Sequence, residues 1–485
     1  GDFPAGRPQI LAATRVAGSL RTHGAGFFSA DDVDKTNLYP GDRIKMVPTA
    51  ISSLWWRRYL SRNASSWEDL DRFPQLRPDE QRSLLADRLL RQIRYFGARA
   101  DALPEWREAA RIENPDDLWR IWPDLPIITK NDLRQKFPAA EIGKRFDIVG
   151  QANCTGGSTG EPVHFFHDTA MIKSITAAVT YSSIRMGWTI GMPAIIVWGS
   201  ERDVKKDTTL RNRVHGGLLN QLLVDGYNLS DQTVERVFAA MGDGPVAMYG
   251  FTSMLEFVAK RALEMNREVK SGTVRAAWNG GETLFPQQAE IFRRAFKVPL
   301  FNRYGGRELS VMACQYQESS PLQVMRPWLF LEILNKQGRP AAPGEIGRLV
   351  WTSTVCRGTP FLRYDVEDMG TFRASDCNEA GIAAIDELHG RVGGMLELPG
   401  GKRISNLYWN HFFKEIKEVE QFQVILRKDG SLRILLRGVG FSGSRQNDVR
   451  GLLVHFLGDT RFDLEWVESI PRTREGKLVQ VYREA

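Results

Sequence analysis

Between residues 164 and 302 the chain alternates short apolar runs with longer stretches of helical periodicity. The apolar runs cover 164–166, 193–198, 245–249, 274–278 and 298–302. The stretches between them, at 170–186, 218–223, 233–241, 251–265 and 286–296, read as helices, with Ser230 placed to cap the third. Such alternation predicts α/β layers. In those layers ligands bind where short strands run out into polar, glycine-bearing loops. A different texture begins at residue 327, where 329–334, 347–352, 361–364 and 382–388 look like sheet segments joined by turns, a smaller β-rich subdomain. From about residue 390, segments 410–416, 421–427, 432–437, 449–456 and 463–467 mix strand and helix character and predict a small α+β unit.

Ahead of the alternation, residues 1–45 are rich in Gly, Pro, Arg and Asp and read as loops or a loosely held arm. Residues 78–96 carry an apolar stripe of Leu84, Leu85, Leu89, Leu90 and Ile93 at helical spacing. The aromatic stretch around Trp55 and Trp56 reads as a packed helix, with a membrane-surface helix as its rival. At 485 residues the chain is too long for one ordinary core. Its net charge of +7, from 65 basic and 58 acidic residues, is a mild bias over that length. The bias does not mark nucleic acid as a partner and suits an anionic substrate equally well. Cys154, Cys314, Cys356 and Cys377 form no C-x-x-C pair and no disulfide scaffold. No signal-peptide core occupies residues 1–26, and no apolar run reaches about 18 residues. The expectation is a cytoplasmic protein without a transmembrane segment.

Five stretches could carry chemistry. Thr155-Gly156-Gly157-Ser158-Thr159-Gly160-Glu161-Pro162 offers hydroxyls and consecutive backbone N–H groups, so it is either a phosphate cradle or a polar turn. It has neither the GK[ST] ending of a P-loop nor the GxGxxG spacing of a dinucleotide fold. Tyr304 to Glu308 offers a ring that can stack on a base and a carboxylate that can hold magnesium near phosphates. By composition alone both residues fit packing and surface charge as well. A carboxylate after 361–364 could accept both hydroxyl protons of a ribose, with Asp365, Glu367 and Asp368 as rivals. Gly280-Gly281-Glu282 follows an apolar run and is a strand-ending turn or a place where the backbone approaches a flat ring. Tyr249, Phe251, Trp188 and Trp278 are candidates for an aromatic pocket or for plain core. Lys477, in a charged turn, offers an ammonium that could stabilise developing negative charge. Cys314, Cys356 and Cys377 with His389 could supply a structural zinc site, although the close C-x-C arrangement is missing.

Several of these motifs, in this order, resemble those of the adenylate-forming acyl-CoA synthetase and ligase superfamily, most closely its phenylacetate–CoA ligase-like and CapK-like branches. TGGSTGEP resembles the phosphate loop, Tyr304–Glu308 the aromatic–Gly–x–x–Glu motif, and Gly358–Asp368 the Arg-Tyr…Asp motif, whose Tyr-x-x-x-Asp pattern selects Asp368. Gly390-Arg391 resembles the start of the hinge and Pro471–Lys477 the terminal lysine motif. The stretch Leu125–Leu133 is similar to the entry into the main domain, with Thr129 set to cap a helix.

The resemblance implies an α/β fold: a large multi-sheet adenylation domain with a β-rich subdomain and a small mobile α+β C-terminal lid. The parts are N-terminal helices over 1–120, a main domain over 121–389 and the lid over 390–485. It implies ATP-dependent activation of a small carboxylic acid, an aromatic one in the relatives, to an acyl-adenylate. Transfer follows to a thiol, that of coenzyme A first and a carrier-protein thiol as an alternative, or to an amine. It assigns Thr155, Gly156, Gly157, Ser158, Thr159, Gly160, Gly280, Gly281, Glu282, Tyr304, Asp368 and Arg391 to ATP. It assigns Glu308 to Mg2+ and to catalysis, and Lys477, with Arg307 beside Glu308, to catalysis. Arg307 stands where the family usually has Thr and is expected to touch phosphate or the acid. Gly393-Gly394 stand where the hinge usually carries two acids, which puts an amine acceptor in contention.

Overall fold

The computed structural model of the protein describes residues 50, 52–54, 56 and 64–484, apart from 156–161, 199–218, 227–228, 243, 392–395, 399–402, 405–408, 410–411, 414–415, 417, 439–442 and 473–477. Strands β1 (Gly150–Cys154) and β2 (His164–Asp168) pair antiparallel. The apolar residues 146–149 precede this hairpin and are not part of it.

The alternating region builds a four-stranded parallel sheet. Its strands are β3 (Ala194–Trp198), β4 (Gln221–Asp225), β5 (Val246–Gly250) and β6 (Val274–Asn279), in the order β4-β3-β5-β6. Ile195, Val197, Met248 and Ala277 are buried against Val237, Leu255, Val258, Phe292 and Phe296 of the helices Asp231–Met241, Thr252–Glu264 and Pro286–Phe296. Two expectations fail here. Of segment 218–223 the described part, 219–223, is not helical: its Leu-Leu run continues into Val224 and pairs along β3, and periodicity alone cannot tell so short an apolar run from a helix. Segment 298–302 is no strand either. Phe301 makes one isolated bridge to Trp278, and the strand begins only at Arg303.

Two antiparallel sheets follow. The first joins β7 (Arg303–Gly306), β8 (Ser310–Cys314), β9 (Leu322–Val324) and β15 (Ala384–Ile385) in the order β15-β9-β8-β7. The second joins β10 (Leu329–Leu334), β11 (Gly347–Ser353), β12 (Tyr364–Thr371) and β16 (Glu387–Arg391) in chain order. The apolar segment 361–364 ends where β12 begins, because Phe361 and Leu362 are buried as core before the sheet starts. Small hairpins β13 (Cys377–Asn378) with β14 (Gly381–Ile382) and β17 (Leu396–Glu397) with β18 (Arg403–Ile404) complete this part.

The C-terminal sheet has the order β21-β20-β19-β22, from β19 (Val419–Leu426), β20 (Leu432–Gly438), β21 (Phe462–Trp466) and β22 (Val481–Arg483). Helix Gly443–Leu457 buries Val449, Leu453 and Leu457 against Val424, Ile434 and Leu436. The architecture is thus a large mixed α/β region with several sheets and a smaller α+β C-terminal unit.

At the N-terminal side, helix Pro78–Gly97 buries Leu85, Leu89, Leu90 and Ile93 in the main core. Trp56 is buried, donates from Nε1 to the Leu219 carbonyl at 3.0 Å and meets Trp188 edge-on, which makes it core and not a membrane-facing residue. Thr129 caps helix Lys130–Lys136 through a reciprocal pair with Asp132. No helix among the described residues is long and apolar enough to cross a membrane.

Candidate active site

A cleft of about 1940 Å³ opens where the C-terminal edge of the parallel sheet meets β7, β12 and the C-terminal unit; Trp198, Tyr304, Asp368, Phe422 and Leu478 are among its walls. The C-terminal ends of parallel strands are where open α/β sheets bind ligands.

The β1–β2 ladder carries the glycine-rich loop. Beyond the pair Cys154↔His164, Thr155 N–H donates to the Val163 carbonyl, and Val163 N–H donates to Thr155 Oγ1, each at 2.9 Å. Thr155 therefore sits at the base of the loop and on the cleft wall. Gly156, Gly157, Ser158, Thr159 and Gly160 lie outside the described residues, as does Lys477.

Tyr304 and Asp368 are 64 residues apart, yet the Tyr304 phenol donates to Asp368 Oδ2 at 2.6 Å. The Tyr364 phenol donates in the same way to Glu308 Oε1 at 3.2 Å. The turn between β7 and β8 makes this possible, because Gly305 lies so close to the Ser310 carbonyl that a Cβ would sit 2.0 Å from it. Glu308 is only 9% exposed, and its one carboxylate partner among the described residues is that phenol. Its backbone carbonyl accepts from His167 Nε2 at 2.7 Å, which fixes the tautomer with the proton on Nε2. Burial holds the His167 pKa below its ordinary value, so the ring is neutral near pH 7.

The three rival carboxylates separate cleanly. Asp365 pairs with Arg348 at 2.6 Å and Glu367 pairs with Lys130, while Asp368 faces Tyr304. Asp368 is also the ladder partner of Arg391 across β12 and β16. Arg307 lines the cleft beside Glu308. Gly281 has φ 76, a left-handed conformation that glycine accepts without strain, and Gly280 N–H donates to the Gly250 carbonyl at 2.9 Å. Glu282 accepts from Ser253 N–H at 2.7 Å, from Ser253 Oγ at 3.1 Å and from Leu478 N–H at 3.0 Å.

Of the aromatic candidates, Tyr249 and Phe251 line the cleft, whereas Trp188 and Trp278 are buried in the core behind it. Trp198 lines the cleft too, with its ring 3.9 Å from that of Phe251. Its signal was its place as the last residue of an apolar strand. Sequence reasoning also passed over Asp168. Its Oδ1 caps helix Thr169–Arg185 through Ala170 and Met171, and its Oδ2 holds the N–H groups of Arg357 and Gly358. An Asp directly before a helical run was the cue.

The cysteines assemble no zinc set. Among the described residues no three His, Cys, Asp or Glu side chains converge. Cys314 and Cys356 are buried and Cys377 is exposed. Burial pushes both buried thiols up, that of Cys314 to about 12, so both are protonated near pH 7.

No protein-family model and no curated protein matches the chain. Solved structures do. The chain is similar to a 2-hydroxyisobutyryl-CoA ligase in the postadenylation state in complex with R3-HIB-AMP, at 15% identity and a TM-score of 0.60 over 84% of this chain and 90% of that one. An open conformation of the same ligase, in complex with 2-HIB-AMP and CoA, matches 93% of this chain and 97% of that one with a TM-score of 0.50. ATP-bound MatB from Rhodopseudomonas palustris matches at 12% identity and a TM-score of 0.50, over 67% of this chain and 65% of that one. At these identities the likeness establishes a shared fold.

Proposed function

We propose that this chain is an AMP-forming acid ligase. In the reaction, a carboxylate oxygen of the acid attacks the α-phosphorus of ATP, an acyl–phosphate bond forms, the bond to the β-phosphate oxygen breaks and pyrophosphate leaves. The thiol of coenzyme A then takes the acyl group and AMP departs. The observation that carries this reading is the convergence of Tyr304, Glu308 and Asp368 on one wall of a large cleft. The fold shared with acyl-CoA ligases supports it.

We assign Asp368 to the ribose hydroxyls, since a carboxylate accepts two such bonds at once. Tyr304, fixed through its phenol, offers its ring to the adenine. Glu308 is a buried carboxylate with a phenol and no cation beside it among the described residues, an arrangement that suits a hard divalent ion. When bound there, Mg2+ would neutralise phosphate charge. The backbone and hydroxyls of 155–160 would cradle phosphates, Arg307 and Arg391 would meet phosphate or ribose, and Lys477 would stabilise the charge that builds on attack. Trp198, Tyr249 and Phe251 favour an acid with an aromatic or otherwise flat body. Within the superfamily, Gly280-Gly281-Glu282 and the entry Leu125–Leu133 favour the phenylacetate–CoA ligase-like and CapK-like branches.

The test is acid-dependent exchange of labelled pyrophosphate into ATP across a broad panel of acids. Exchange with at least one acid is expected. None, from folded protein that binds ATP, overturns the reading. Gly393-Gly394 at the hinge favour a second acceptor, an amine. Preformed acyl-adenylate offered coenzyme A, a carrier-protein thiol and amines in parallel decides between them by product mass.

A further inference from the structure

Arg303 is the first residue of β7, directly before Tyr304. Neighbours on a strand point to opposite faces. Tyr304 is committed to Asp368, whereas the Arg303 guanidinium lies over the rings of Tyr249, at 4.8 Å, and Trp278, at 5.5 Å. These two rings are stacked at the C-terminal ends of adjacent parallel strands. Arg303 thus stands on the acid side of the cleft, and it lines the cleft together with Tyr249.

The guanidinium is half-buried and has no counter-charge among the described residues. Among the described residues it meets ring faces, and no carboxylate or other hydrogen-bond acceptor. The group paired with it across the ladder is Cys314, whose buried thiol remains neutral and offers no negative charge. Among the acidic side chains of the cleft, Glu256 is engaged with Lys260 and Gln288, Glu367 with Lys130, and Glu308 and Asp368 with the phenols of Tyr364 and Tyr304. A partly desolvated cation without an anion is an unfavourable arrangement unless a ligand completes it. The flat ring faces hold the guanidinium plane, and its edge carries N–H donors in a fork that matches a carboxylate.

From this geometry, and resting on the acid-ligase reading above, we propose that the substrate acid carries a second anionic group, distal to the reacting carboxylate, which Arg303 receives at the aromatic wall. The substrate class is therefore a dicarboxylic or otherwise anion-tailed acid. A plain monocarboxylic acid of the same body would leave the guanidinium unmatched.

The experiment compares acids of one shape that differ in the distal charge: isophthalate against its monomethyl ester, and adipate against hexanoate. Pyrophosphate exchange and calorimetric binding are measured for the full-length protein and for Arg303→Met and Arg303→Lys, with circular dichroism to confirm folding. In the unaltered protein the diacid of one pair is expected to exceed its partner by about 10²-fold or more in kcat/KM, short of the roughly 10⁴–10⁵-fold of a fully enclosed polar site because Arg303 is only half-buried. Arg303→Met should collapse that ratio, Arg303→Lys should lower it part-way, and ATP binding should hold in both. Equal use of both members of each pair overturns the proposal. So does a variant that loses diacid and monoacid alike, which would mean that Arg303 serves the reacting carboxylate or the fold. If no acid supports exchange yet the diacid binds and Arg303→Met abolishes binding, the ligase reading falls and the anion site stands. If neither member binds, the anion site falls as well.

Discussion

The backbone N–H of Leu478 donates to Oε1 of Glu282 at 3.0 Å, across 196 residues of chain. Six residues earlier, Arg472 Nη1 donates to Ser253 Oγ at 3.0 Å, and Ser253 itself holds the Glu282 carboxylate through its N–H and hydroxyl. Both flanks of the segment 473–477 are therefore fixed to one side-chain pair on the main domain. Sequence pattern offered Glu282 as a nucleotide contact. Its carboxylate, on the cleft wall, also joins the loop after β6 to the C-terminal unit.

Glu282→Ala removes three acceptor contacts at this joint. Hydrogen bonds to charged groups contribute about 1.5–3 kcal/mol each, so adenylate formation should slow by at least about 10-fold while the affinity for ATP changes little. Single-turnover release of pyrophosphate beside equilibrium ATP binding separates the two. An unchanged rate would reduce the joint to a surface contact.

Arg363 is 2% exposed and forks onto both oxygens of Glu332 at 3.0 Å. It also donates to the Pro123 carbonyl at 2.8 Å and to that of Leu125. Burial raises the Glu332 pKa despite the adjacent guanidinium. Arg363→Met leaves that carboxyl buried without its partner, which should cost about 3–5 kcal/mol of stability. Adding Glu332→Met should recover most of the loss, since an apolar pair of similar volume replaces the ions. A single variant within about 0.5 kcal/mol of the parent by denaturant unfolding, the range of ordinary surface substitutions, would remove Arg363 from the structural frame.

The arrangement of these residues explains what the sequence could and could not disclose. The parallel sheet was legible because buried strands and amphipathic helices differ in period, and β3, β5 and β6 fall where apolar runs stand. β4 was not, because Leu222 and Leu223 carry no period that excludes a helix, and only pairing along β3 decides. Tyr304, Glu308 and Asp368 could be picked out by motif. Their convergence could not, because it depends on phenol bonds 64 and 56 residues long in sequence. Arg303 stayed unnoticed for the same reason: its neighbours come from β5 and β6. The choice of Asp368 over Asp365 and Glu367 came from the family resemblance, and the residues alone could not show that the other two are held in ion pairs with Arg348 and Lys130.

His167 and His389 give the protein a pH dependence of defined sign. Burial lowers both pKa values from 6.5, and neither ring nitrogen of the buried His389 has a hydrogen-bond partner among the described residues. A folded pKa below the unfolded value means that the unfolded chain takes up the proton first. Their stability contribution is therefore complete above the unfolded value of 6.5 and is lost progressively as the pH falls from there towards the folded values. Asp132 and Glu465, whose pKa values are lowered, act at more acidic pH, below their unfolded values of 3.8 and 4.5. Chemical denaturation at stepped pH should show a first loss beginning near 6.5 that His167→Phe makes shallower. The same slope in the variant would assign the loss to other groups.

Lys477 lies outside the described residues, but its neighbour Leu478 is the residue that Glu282 holds. If Lys477 supplies charge stabilisation in adenylation, Lys477→Ala should leave ATP binding near that of the parent and slow adenylate formation by about 10²-fold or more. The informative measurement is the double-mutant cycle with Glu282→Ala. Should Glu282 act by placing the segment that carries Lys477, its loss costs little once the lysine is gone, so the double variant should be about as slow as Lys477→Ala alone. Should the two act independently, their effects on the activation free energy add within about 0.5 kcal/mol. Additivity would separate the joint from the chemistry. Coupling would tie the hydrogen bond between Leu478 and Glu282 to the catalytic step, and hexanoate- or adipate-independent turnover of preformed adenylate should then be unaffected by either change, because that step no longer requires attack on the α-phosphorus.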